Sequence, residues 1–454
     1  MFLKTINKHT SNTFFIFVII SLQISNILIN VVKAQNSEKN TLQFNLNEQG
    51  THYIKATFLN QTWIRYNWNN PGSSIYNIPE KETFDIGLRR TRFQLIGRIN
   101  EQILFYSQFG INNFNYLSAR KAGAFFHDAL CEYSPFIKKL SIGGGLNGWS
   151  GPGRFSAPAV ASFLGLDAPL FEQSTNDATD QFLRKLSIYA KGQLSKVAYQ
   201  LIVSKPMVIQ TSALYSPTLE TFANFSPLPP QLQYHGYFSY SFFDIEDNLL
   251  PYKTGNYLGR KKIVNIGAGY LYQKKAMWYK KTNSDTAYSN LIQIATDLFI
   301  DLPLNKTNKT ALNFYGVYFI NKMGYGYIRS VGPMPPTNTL MAINSVNGSG
   351  SAFPMIGTGQ TFYLQGGYLF KDSLFNKFGT MQWYASIQSS KFERLTSTMN
   401  VYETGINFLI KQHQSKITLA YQSRPYFKYN ANKLGEEVKS ARRGMLVCQY
   451  QISF

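Results

Sequence analysis

One stretch near the start of the chain, LRRTRFQLIGR at 88–98, puts Arg90, Arg92 and Arg98 on one parity, with Gln94 between them. Residues two apart on an extended strand share a face. Three guanidiniums therefore form a ladder, while Phe93 and Leu95 point the other way. A ladder of fixed positive charge performs no bond chemistry; it concentrates small anions along a wall. The same side chains could instead pair with nearby carboxylates or bind lipid phosphate. For Arg89, which falls outside the parity, that second reading is preferred.

Other basic residues extend the pattern. Lys139, Lys185, Lys191, Lys416, Arg424 and Arg443 fall on the polar parity of further alternating segments. Asp128, Glu132, Asp297, Asp301 and Glu403 share that face and partly offset them. Catalytic constellations are not evident. His52, His127, His235 and His413 sit in no Gly-x-Ser-x-Gly elbow and no His-Glu-x-x-His pair. Cys131 and Cys448 form no CxxC motif and read as small outward-facing or packing residues. No catalytic residue, metal or cofactor is expected. The formal charge of +21 has no dense Lys/Arg block behind it, which argues against nucleic acid as a partner.

What must hold such a ladder in place is a sheet with one oily and one polar face. The chain has 30 Tyr and 35 Phe but only 15% charged residues, against ~25% in ordinary globular chains. Residues 1–34 carry Lys4 and Lys8 before an apolar run and end in Val32-Lys33-Ala34, which reads as a signal peptide. A retained helix over 14–32 is the competing reading, weakened by Gln23, Ser25 and Asn26. The predicted organisation is a leader (1–34), a periplasmic spacer (35–51) and a barrel (52–454). Removing the leader's three lysines leaves +18.

From residue 52 onward the chain alternates apolar and polar residues in about sixteen segments. They are read at 52–67, 84–98, 101–111, 124–133, 138–147, 181–191, 195–205, 233–245, 260–272, 287–301, 310–321, 360–370, 378–390, 400–411, 415–425 and 444–454. Long connections are expected after the first, fifth, seventh, ninth, eleventh and fifteenth, and a longer connection also links the eighth to the ninth. An even strand count with long and short connections on opposite sides predicts an all-β, transmembrane antiparallel barrel. A secreted β-sandwich or propeller would carry more surface charge and polar chain ends. The segment 148–180 is too rich in small and apolar residues for an ordinary surface loop. It is expected to fold into the barrel and narrow it, with Arg154 and Asp167 as constriction candidates; an apolar cap over the rim is the other possibility. The chain ends in strict alternation, with Leu446, Cys448, Tyr450, Ile452 and Phe454 on one face.

Three stretches carry a resemblance. FDIGLRRTRFQLIGRINEQILFYSQFG resembles the arginine-bearing second strand and hairpin of the phosphate-selective porin O and P family, its arginine motif falling on Arg89, Arg90 and Arg92. DQFLRKLSIYAKGQLSKVAYQLIVSKP and LPYKTGNYLGRKKIVNIGAGYLYQ are similar to porins of that broad type. No compact lysine cluster matches the family's phosphate trap. The resemblance implies a Gram-negative outer-membrane location, contact with outer-membrane lipid, a homotrimer and passage of small anions. The terminal strand resembles the signal read by the barrel-assembly machinery. The competing function is a non-conducting barrel serving as receptor, adhesin or secretion-system part.

Overall fold

The computed structural model describes residues 42–209, 219–281, 285–339, 345–376, 379–438 and 441–454. The expected leader and the first part of the spacer, 35–41, lie outside them. Sixteen strands form the wall: β1 (Tyr53–Trp68), β2 (Glu82–Arg98), β3 (Ile103–Phe114), β4 (Phe125–Phe136), β5 (Leu140–Asn147), β6 (Lys185–Leu194), β7 (Val197–Lys205), β8 (Gln233–Ser241), β9 (Ile263–Lys280), β10 (Thr286–Asn305), β11 (Thr310–Lys322), β12 (Gly359–Leu369), β13 (Thr380–Phe392), β14 (Met399–His413), β15 (Ser415–Arg424) and β16 (Arg443–Ser453). Each pairs antiparallel with its sequence neighbour. The sheet closes between β16 and β1, in the register Leu59↔Ser453, Trp63↔Gln449 and Asn67↔Met445. Closure satisfies every edge, without which a sheet cannot sit in lipid. Part of the expected spacer is structured, since the short strand Leu42–Asn45 pairs with the start of β1.

Alternation sets the two faces. In β7, Val197, Leu201 and Val203 are exposed on the outside, while Ala198, Gln200, Ile202 and Ser204 are buried inside. In β15, Leu419 and Tyr421 face out, and Lys416, Thr418 and Arg424 are buried within. Cross-strand phenyl pairs reinforce the outer face: Phe58–Phe93, Phe93–Phe109 and Phe109–Phe126 have centroids 4.9, 5.3 and 6.1 Å apart. Each such pair adds about 0.5–1.5 kcal/mol beyond area burial. Phe454 joins this ladder, its ring centroid 5.5 Å from that of Phe58. Its backbone N–H and C=O both bond to Phe58, at 3.1 and 3.0 Å.

One connection differs from expectation. After β9 only residues 281–285 separate it from β10, because the two strands run on to 18 and 20 residues. On the opposite rim, where Phe454 lies, most connections are tight turns such as 195–196 and 306–309, and that between β8 and β9 is longer, as expected, running from 242 to 262.

Candidate constriction in the barrel lumen

The arginine ladder is built by β2 and adjusted by one irregularity. Gln61 pairs with Arg90 and Thr62 with Leu88, so Arg89 is an extra residue in the ladder, a β-bulge. The bulge turns Arg89 inward beside Arg90, and both are buried. Arg89 thus lies on the inner face, not outside it, and of its two expected roles it takes carboxylate pairing. Its Nε and Nη2 donate to Asp167 at 3.2 and 3.0 Å. Arg90 donates to the same carboxylate and to Gln61 Oε1 at 2.9 Å.

Asp167 arrives on the segment 148–184, which joins β5 to β6. This loop folds into the lumen through three single 3-10 turns, Arg154–Ser156, Val160–Ser162 and Leu170–Glu172. Its small residues permit this. A side chain at Gly153 would collide with the Glu172 carboxylate, and one at Gly165 would press on Tyr384 and Glu403. The tip then lies against the far wall. Lys416 Nζ donates to Phe163 O at 2.8 Å, Asn407 to Leu164 O at 2.8 Å, and Gln451 to Ala161 O at 2.9 Å. Leu164 and Leu166 pack with Trp63, Met334, Tyr384, Met445 and Val447. The loop therefore crosses the barrel from β5–β6 to β14–β16.

Arg154 is held differently from Asp167. It is 1% exposed, donates to both oxygens of Glu246 at 2.8 and 2.6 Å, and lies 3.7 Å from the centroid of Phe299. Burial alone would raise the Glu246 carboxyl, but the Arg154 charge and hydrogen bonds outweigh it and hold it down at about 2. Burial likewise opposes the Arg154 charge, and Glu246 more than compensates, leaving it above the usual arginine range.

The remaining expected residues are distributed around the wall. Lys185 bonds Gln233 and Thr175 at 2.9 and 3.0 Å and lies 3.6 Å from Asp180. Lys191 pairs with Glu132 at 2.8 Å. Arg424 donates to the carbonyls of Trp68 and Gly350 at 2.6 and 3.1 Å. Arg98 and Arg443 are half-buried near opposite rims. Lys139 is exposed in the turn before β5 and not on an inner strand face, because Lys138, at φ 65°, already reverses the chain. Arg92 is 2% exposed, and its Nε and Nη1 meet no acceptor among the described residues. The inner charges are thus covered by protein, because segments from both rims fill much of the lumen. Beside the loop tip a cavity of about 70 Å³ remains, lined by Trp63, Asp167, Tyr363, Gln388, Glu403 and Gln422 among others. That is room for about two waters.

Parity alone could have found Arg65, which shares the inward face of β1 with Trp63 and pairs with Asp85 at 2.6 Å. Glu246 carries no such signal. Leu446, Cys448 and Tyr450 stand half-buried on the outer face of β16, with Ile452 exposed beyond them.

No protein-family model matches the chain, and no curated protein matches it. Among solved structures it is similar to OprB of Pseudomonas putida at high pH, with a TM-score of 0.49 and 10% identity over 88% of this chain and 94% of that one. It is also similar to an anion-selective porin from Comamonas acidovorans (TM-score 0.48, 9% identity, 88% and 99% covered). A mutant of the Rhodopseudomonas blastica porin gives 0.44 at 11% identity, with 88% and 100% covered. These comparisons assign no family, and the phosphate-selective resemblance rests on the quoted stretches alone.

Proposed function

We propose that this protein is an outer-membrane porin through which small solutes diffuse passively, with a preference for anions. One observation carries the reading: a closed sixteen-strand wall, oily outside and charged inside, has a loop laid across its lumen. A charge on the lipid side of such a wall costs roughly 2–4 kcal/mol at mid-bilayer, so the inward confinement of arginine and lysine is what a membrane demands. The anion preference is supported by Arg89 and Arg90, which share the single carboxylate of Asp167 and so leave one positive charge in excess beside the loop. Phosphate-like anions and a trimeric assembly belong to the same proposal.

The test is the reversal potential of the purified protein in planar bilayers under a KCl gradient. Chloride should pass more readily than potassium, and replacing Arg90, Arg92 and Arg98 together by Gln should weaken that preference. Cation selectivity in the wild type would overturn the anion reading. The crossing of the lumen by two segments favours a second reading, a non-conducting barrel acting as receptor, adhesin or secretion-system part. A barrel silent under all voltages would select it.

A further inference from the structure

The connection 242–262 is far longer than joining two neighbouring strands requires. The turns 195–196 and 306–309 do the same work on the same rim. The segment enters the lumen and crosses it. At one end Lys191 Nζ donates to Leu249 O at 2.6 Å, and Leu249 and Leu250 pack on the inward Ile96, Leu104, Tyr106 and Leu130 of β2–β4. At the other end Asn256 donates to Gln382 at 2.8 Å, Tyr257 N–H donates to Asp301 at 2.8 Å, and Leu258 packs on Ala311, Leu369 and Leu409. These anchors lie on opposite walls.

Midway, the segment meets the loop descending from the other rim. Pro158 and Lys253 form a parallel β-bridge. Ala159 N–H donates to Lys253 O at 2.9 Å, and Lys253 N–H to Ala157 O at 2.9 Å. Glu246 clasps Arg154 in a two-pronged pair, the strongest geometry open to these groups. Both partners are buried, so removing either leaves an unpaired charge inside the barrel.

We propose that 242–262 is a second constriction element, and that Glu246 is the positioning residue through which it fixes the loop 148–184 across the pore. The inference rests on the porin reading above. The passage is narrowed from both rims at one level. Its size limit is set by how the two segments bind each other as well as by the loop tip at Asp167. Neither segment touches the permeant ion through Glu246; that residue acts through Arg154.

The experiment uses the full chain in planar bilayers, with E246Q, E246A, and the charge exchange Arg154→Glu with Glu246→Arg. E246Q keeps the side-chain volume and loses the charge. It should raise single-channel conductance by about twofold or more and let larger neutral polymers enter. The exchange should bring both back toward wild type, a rescue that a general loss of packing would not show. An independent arm needs no loss of the pair. With Cys131 and Cys448 replaced by Ser, Pro158→Cys and Lys253→Cys at the β-bridge should form a disulfide on oxidation. That should hold conductance at or below the wild-type level even in E246Q, and reductant should release it. A conducting wild type whose conductance and size limit are unchanged in E246Q and E246A would overturn the inference and leave the porin reading intact. Wild type and all variants silent would refute the porin reading, and the inference with it.

Discussion

Replacing Asp167 by Asn should sharpen anion selectivity, and its size can be worked out. Asp167 is the acceptor shared by Arg89 and Arg90. Asn keeps the shape and removes one negative charge from the point where the loop meets β2. An ion passing ~5 Å away at the dielectric of water feels about 0.8 kcal/mol from one unit charge. The change favours an anion and disfavours a cation by that amount. The permeability ratio therefore shifts toward chloride by up to about fifteenfold at low salt. In 1 M KCl the screening length falls to ~3 Å, and the shift should shrink below about twofold. The substitution also breaks a mostly buried pair, which costs on the order of 3–5 kcal/mol. The loop keeps three side-chain bonds from Lys416, Asn407 and Gln451 and two buried leucines. At about 0.5–1.5 kcal/mol per bond and 1.5–3 per leucine, these hold it with roughly 5–10 kcal/mol, so it should stay in place. Arg90→Gln should move the ratio the other way, and the double variant should lie near wild type. The assay is reversal potential at 0.1 and 1 M KCl. Single variants that shift in the same direction, or a shift that survives high salt undiminished, would refute the electrostatic reasoning.

Three further outcomes follow from the wall and the clasp. Deleting Phe454 removes two backbone bonds and a ring contact to Phe58, so less heat-modifiable barrel should reach the outer-membrane fraction. Leu419→Arg puts a charge in the middle of the outer face of β15, which should lower unfolding free energy in lipid by ~2–4 kcal/mol, whereas Gln422→Arg, on the inner face beside Glu403, should cost less. Glu246 has its folded pKa depressed to about 2, so its contribution is fully present above the unfolded carboxyl value and is lost only as pH falls through about 2. The difference in conductance between wild type and E246Q should accordingly persist from pH 7 to pH 4 and vanish only as pH falls through about 2.

The wall was legible because its two environments are so unlike. Lipid outside and polar groups inside force a strict period of two, and a one-residue slip would bury every charge in oil. Each of the sixteen strands overlaps a segment read from alternation, and Leu419 against Lys416 shows why the faces could be assigned residue by residue. Arg89 was misplaced because parity counting assumes an unbroken ladder, and a single bulge shifts the face of the residue at which it occurs. Lys139 was misplaced because a turn at Lys138 ended the strand register earlier than the pattern suggested.

The lumen was harder to read, for a reason that lies in the same physics. Alternation reports which side of a wall a residue faces, but says nothing about what stands opposite it. Arg92 and Lys416 were read as facing water, yet both are nearly wholly covered, Lys416 by the tip of a loop rooted at β5 and β6. The covering segments have no period of their own. The loop 148–184 announced itself only through composition, since a run such as FLGLDAPLF requires burial somewhere. The segment 242–262 showed only as a longer connection, with no composition that demands burial. Its Glu246 resembles any surface glutamate in sequence, and only Arg154, 92 positions away, turns it into a buried ion. Long-range pairing of this kind needs an enclosed lumen, in which connections rooted on opposite rims meet, as Pro158 and Lys253 do.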